Sequence, residues 1–208
     1  NCIVKKDSKE LVAGCNSSKI PEDVRSIGDG AFYCCSGLTS LTIPNNVRTI
    51  GASAFSECSG LTSLEIPDSV SSIGAGAFYN CNGLVSITIP GNITSIDDSV
   101  FYGCSSLKSV TIPSSVIRIG EEAFRGCYGL TSVVVPGNVK TIGENAFSSC
   151  DSLNDVVISE GVVSIEGGAF SSCGNLQVIT IPKSINHIGE YVFYRCDTLK
   201  DVYFGGSS

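Results

Sequence analysis

The chain is 208 residues long, 42% hydrophobic and 16% charged, with a formal charge of −7. That is too apolar for a disordered segment, no run reaches the ~20 apolar residues of a membrane span, and clustered Lys and Arg for a phosphate backbone are missing. Membrane insertion of this segment and nucleic-acid binding are therefore not expected. Residues 1–19, "NCIVKKDSKELVAGCNSSK", follow no pattern found later. With no Met anywhere and no charged and apolar leader, the chain reads as a processed piece of something longer. A missing signal then says nothing against secretion.

From residue 20 to 204 a period of 23 takes over. Phe recurs at 32, 55, 78, 101, 124, 147, 170 and 193, and Cys at 35, 58, 81, 104, 127, 150, 173 and 196. Leu38 and Ile27 head two further columns of eight, and none of the four contains an insertion. Self-similarity at such a period marks a solenoid or array.

One unit can be followed from Leu38. In "LTSLTI", Leu41 and Ile43 alternate with Ser40 and Thr42, which predicts a short strand with one buried face. Pro44 ends it, since proline cannot donate to a ladder. "NNVRTIG" brings in Val47 and Ile50 as a second short extended segment on an opposite wall. "SAFSEC" carries Ala54, Phe55 and Cys58, a spacing that suits one helical or 3₁₀ turn facing inward. A single unit buries too little to offset the ordering of 23 residues, so coils must stack and share a core. Residues 205–208 break the pattern as a tail or truncation point.

The offsets L-x-x-L-x-I/V resemble the leucine-rich repeat, and "IPxxVxxIGxxAFxxCxxL" resembles the BspA-like leucine-rich repeat family of bacterial and protist surface proteins. The resemblance covers Ile20 to Phe204. It implies an α/β fold: a right-handed solenoid or horseshoe of about nine coils, a parallel inner sheet, and short helical or 3₁₀ turns. It also implies that residues 1–19 are a hairpin-like segment capping the first coil. The departures are local: Ser159-Glu160 replaces the proline step, and Asp97 and Glu166 replace the glycine after Ile.

Candidates for chemistry are few. The Cys column falls between Phe and Leu on the inward face, where a thiol behaves as a small buried hydrophobe. A linear column does not converge on a metal. Cys2 and Cys15 flank the leader and could be bridged, whereas Cys34 shares its column with Glu57, Asn80 and Arg195 and should be exposed. The single histidine, His187, lies in a column of Ser, Thr and Arg with no nucleophile, so it offers no catalytic pair. Asp98, Glu121 and Glu144 stack on successive coils. A calcium site is conceivable there, but carboxylates opening a helical turn, where its dipole favours them, are the simpler reading. Asn16 and Asn92 begin glycosylation sequons.

The inner strand face carries the functional expectation. One column runs Ser40, Ser63, Ser86, Ser109, Ser132, Asp155, Val178, Asp201; the other runs Thr42, Glu65, Thr88, Thr111, Val134, Val157, Thr180, Tyr203. A hydroxyl ladder thus gives way to mixed chemistry. Asp155, Val157, Val178, Thr180, Asp201 and Tyr203 form the expected protein-binding surface. The family resemblance implies a non-catalytic module, cell-surface or secreted, that recognises a host or extracellular-matrix protein. No cofactor or metal is expected. A structural spacer array without its own ligand is the alternative.

Overall fold

A computed structural model describes residues 2–205; 206–208, part of the expected tail, lie outside the described residues. The chain winds through about eight coils, one for each phenylalanine of the column, rather than the nine expected. Two walls are stranded. The inner face is a seven-stranded parallel sheet: β5 (Ser63–Glu65), β7 (Ser86–Thr88), β9 (Ser109–Thr111), β11 (Ser132–Val135), β13 (Asp155–Ile158), β15 (Val178–Ile181) and β17 (Asp201–Phe204). Each strand pairs with its equivalent on the next coil, as Ser63 with Ser86 and Thr180 with Tyr203. Opposite lie two-residue strands: β3 (Ser26–Ile27), β4 (Thr49–Ile50), β6 (Ser72–Ile73), β8 (Ser95–Ile96), β10 (Arg118–Ile119), β12 (Thr141–Ile142), β14 (Ser164–Ile165) and β16 (His187–Ile188). This second wall splits into two sheets between β6 and β8, at the coil where Asp97 takes the glycine position. The glycine has a steric reason. At Gly143 a Cβ would lie 2.6 Å from the Gly120 backbone of the previous coil. Glu166 occupies the same position without breaking the ladder, since β12 and β14 still pair.

The third wall corrects the sequence expectation: among the described residues there is no helix. Residues 28–36 and their equivalents are chained turns. Two columns in them hold left-handed backbone, as at Ser53 (φ 52°) and Glu57 (φ 61°), and an α-helix cannot propagate through such residues. The hydrogen bonds give the same answer. The amides of Gly30, Phe32 and Cys34 donate to Ala52, Ala54 and Ser56 of the next coil at 2.7–2.9 Å, while Ala31, Tyr33 and Cys35 donate back three residues. Alternate N–H groups are spent between coils, which leaves no continuous helical ladder. The helix-dipole account of the carboxylates falls with it: Asp98 Oδ1 instead accepts the Glu121 amide of the next coil at 2.9 Å and Arg118 Nη2 at 2.8 Å.

The core is a set of columns. Seven Phe rings, from Phe32 to Phe170, are fully buried and stacked with centroids 5.1–5.5 Å apart; Phe193 follows at 6.2 Å and is half-buried. Each Cys from 58 to 196 is buried and its Sγ donates to the Phe carbonyl one coil earlier, at 3.0–3.3 Å. The thiol is thus a donor between coils as well as a packing group.

The leader forms an antiparallel hairpin, β1 (Ile3–Lys5) and β2 (Glu10–Ala13), and β2 joins the second wall by pairing with β3. Leu11 fills the slot above Ile27, and the Gly14 carbonyl faces the Cys35 thiol at 3.9 Å where a Phe carbonyl would otherwise stand. This hairpin supplies nothing to the inner face. There the strand expected at Leu41–Ile43 does not form, and Leu41 stays half-buried. The seven-stranded inner sheet therefore begins at β5.

Candidate functional site

β-Pleating decides which inner-face side chains reach solvent, because successive residues point to opposite faces. On β13, Val156 and Ile158 are buried while Asp155 and Val157 are exposed; β15 repeats the pattern with Val178 and Thr180 outward, and on β17 Asp201, Tyr203 and Phe204 are all exposed. All six expected residues are therefore brought together on one surface. Parallel register aligns them further. Val134, Val157, Thr180 and Tyr203 form one row across β11, β13, β15 and β17, with rungs about 4.8 Å apart. Asp155, Val178 and Asp201 lie two residues earlier on their strands.

Val134 belongs in this patch too, one coil before the expected surface begins at Asp155. At 56% exposed it is more open than Val157 at 46% or Val178 at 44%. Its signal was its column: the first apolar residue after Thr42, Glu65, Thr88 and Thr111. The patch combines three exposed valines and the Tyr203 ring with two flanking carboxylates. Valine and tyrosine supply apolar area, the phenol a hydrogen bond, and the carboxylates a rim that favours a basic partner surface.

The N-terminal part of the same face is different. A hollow of about 970 Å³ lies between Leu41 to Asn45 of the first coil and β5 and β7, over Ser63, Glu65, Ser86 and Thr88. Its lining mixes the Ser63, Ser86 and Thr88 hydroxyls and the Glu65 carboxylate with apolar groups such as Leu41 and Pro67.

Elsewhere the candidate groups disperse. His187 is exposed on β16 with Nε2 3.5 Å from Glu166 Oε2. Cys2 Sγ lies 3.5 Å from the Lys19 carbonyl, and Cys15 Sγ lies against the Ser17 and Ser18 hydroxyls. Cys34 is exposed with Sγ 3.3 Å from Glu57 Oε2. Partial desolvation, then the Glu57 hydrogen bond, pushes its thiol up from the ordinary value. Burial pushes the column thiols from Cys58 to Cys150 up, to about 12 at Cys58 and Cys104. Asn92 donates its side-chain amide to the Asp68 carbonyl at 2.5 Å. Among the described residues no three His, Cys, Asp or Glu side chains group as metal ligands, and no helix is long and apolar enough to cross a membrane.

A stack of parallel-strand coils with a shared Phe, Cys, Leu and Ile core defines a leucine-rich repeat solenoid. The chain belongs to the BspA type leucine rich repeat region family, whose model matches residues 11–131 and 117–208 in six copies. A leucine-rich repeat protein from Bacteroides ovatus is 30% identical with a TM-score of 0.77, covering 98% of this chain and 51% of its own. This chain therefore spans about half the length of that protein. The Treponema pallidum (T. pallidum) leucine rich repeat protein is also 30% identical, with a TM-score of 0.74, covering 85% of this chain and 87% of its own. A leucine rich cell surface protein from Faecalibacterium prausnitzii shares the fold at 21% identity and a TM-score of 0.57, covering 99% and 93%. A comparison with curated proteins finds no match. Repeat proteins of this kind are typically protein-interaction modules, with an extended surface in place of a pocket.

Proposed function

We propose that the chain is a non-catalytic protein-binding module of a cell-surface or secreted protein, recognising a host or extracellular-matrix protein through the C-terminal half of its inner face. The observation that carries this reading is the exposed row Val134, Val157, Thr180 and Tyr203, flanked by Asp155, Val178 and Asp201. Exposed valines in register on a sheet that elsewhere presents Ser and Thr cost solubility, and a partner that buries them accounts for their presence. The surface location is supported by the name of the Faecalibacterium prausnitzii neighbour, a cell surface protein. A panel of extracellular-matrix and mucosal proteins, passed over the immobilised chain in surface plasmon resonance, tests it. Tyr203→Ala and Val157→Asp should each weaken the binding found by more than tenfold, with Ser86→Ala nearly silent. Equal tolerance at all three positions overturns the reading and favours the spacer alternative, which the unbroken core columns also suit.

A further inference from the structure

The turn wall, far from the inner-face patch, carries a second concavity. Its ridge on one side is a stack: the Tyr79 and Tyr102 rings lie 4.6 Å apart and nearly parallel, and the Arg125 guanidinium continues the stack 5.7 Å from the Tyr102 centroid. The opposite ridge is Asn82, Ser105 and Tyr128, the last 51% exposed. Between them the floor passes through Gly103 and Gly126, two glycines in consecutive coils of a left-handed column that elsewhere holds side chains such as Glu57 and Arg195. The result is a trough of about 380 Å³ running across several coils, parallel to the axis of the array.

We propose that this trough binds a neutral oligosaccharide. Three features select that chemistry. First, the polar groups in the trough are uncommitted. Asn46, Asn92, Asn138 and Asn175 each donate a side-chain amide to a carbonyl of the preceding coil, at 2.5–2.8 Å. The Asn80 and Asn82 amides and the Ser105 and Ser149 hydroxyls, by contrast, bond to no protein group among the described residues. Amides and hydroxyls offer donors and acceptors side by side, which matches a row of sugar hydroxyls. Second, Tyr128 presents an exposed ring at the trough's rim, a flat apolar surface for the C–H face of a pyranose. Third, the site carries no free charge: Arg125 is paired with Glu122, and the chain as a whole is acidic. Among the residues that line the trough, an anionic glycan or a phosphate finds no unpaired cation. A peptide that binds by adding a strand needs a sheet edge to pair with, and among the described residues this wall has no strand. A lipid needs apolar depth, which a backbone floor does not give.

Isothermal titration calorimetry of the whole chain with cellohexaose, laminarihexaose, mannohexaose and maltohexaose tests the assignment, with a hyaluronan hexasaccharide as the anionic counter-probe. At least one neutral hexasaccharide should bind with a Kd below ~1 mM. Tyr128→Ala should weaken it at least tenfold, and Asn82→Ala several-fold. Ser105→Trp, which fills the trough without removing any packing contact, should abolish it, with circular dichroism showing each variant folded. Val157→Asp should leave it unchanged, which separates this site from the inner-face patch. The assignment is overturned if no neutral hexasaccharide binds, if the hyaluronan fragment binds more tightly, or if Tyr128→Ala and Ser105→Trp bind like the parent chain.

Discussion

At the scale of single residues, the cysteines divide by environment rather than by number. The seven from Cys58 to Cys196 are buried donors to Phe carbonyls, and Cys34 is exposed beside Glu57. Alkylation of the native chain should therefore label Cys34 and spare those seven, as mass spectrometry of the labelled peptides will show. Rate is a separate matter from access. Desolvation and the Glu57 carboxylate both disfavour the Cys34 thiolate, so Glu57→Gln should speed labelling near neutral pH and move its pH-rate midpoint down. Protection at Cys34 with labelling of the column would sink this assignment. The buried thiols also set a pH limit on stability. Cys58 and Cys104 titrate near 12 in the folded chain against 9.0 for an ordinary thiol. The unfolded chain thus releases these protons first, and the stabilisation they represent is complete below pH 9 and lost as pH rises towards 12. Each thiol contributes a slope of up to about 1.4 kcal/mol per pH unit across that window. Cys104→Ala should flatten the fall of urea-denaturation free energy between pH 9 and 11, and an unchanged slope would mean that the thiol is solvated.

At the scale of the element, the Phe ladder holds each coil to its neighbours. Phe101 stacks on Phe78 and Phe124 at 5.5 and 5.2 Å and is 1% exposed, so Phe101→Ala should cost about 3–5 kcal/mol in urea denaturation. Phe193, half-buried and stacked on one side at 6.2 Å, should cost less than half as much. A loss under ~1 kcal/mol at Phe101 would mean that its ring is not the buried contact seen here. The Phe column was legible because it is strict. So was period-two alternation in the longer inner strands, which puts Val157 and Tyr203 on the outward face. The turn wall was not legible. The i, i+1, i+4 spacing of Ala54, Phe55 and Cys58 is common to a helical turn and to chained turns with left-handed residues. What separates them is where the amides go, and that depends on the next coil. The missing strand at Leu41–Ile43 was not legible either, because its residue pattern matches that of later coils that do form one. The trough between Tyr102 and Tyr128 also stayed hidden, because its walls come from columns three residues apart and join only through stacking.

At the scale of the whole molecule, a stack in which each coil touches only its neighbours has stability that varies along its length. Its two ends differ. At the first coil the leader reproduces a partial coil: β2 pairs with β3, Leu11 takes the Ile slot, and Gly14 lies on the Phe32 ring and donates its amide to the Ala31 carbonyl at 2.7 Å. At the last described coil Ile188, Tyr191 and Phe204 are 40%, 70% and 69% exposed. The leader should therefore hold the N-terminal coils shut. Gly14 is the position through which this can be tested, because a Cβ there would lie 2.1 Å from the Phe32 ring. Gly14→Leu forces the leader to lift or the ring to move, an overpacking cost of about 1–3 kcal/mol. Nearest-neighbour coupling then makes a spatial prediction. Hydrogen exchange should speed at the Phe32 and Cys34 amides, which bond to the second coil, and the effect should fade within one or two coils. The Phe124 and Phe147 amides, bonded to Ala146 and Ala169, should exchange as in the parent chain. Equal acceleration in every coil would mean that the array opens as one cooperative unit, and the picture of a leader guarding only its own end would have to be abandoned.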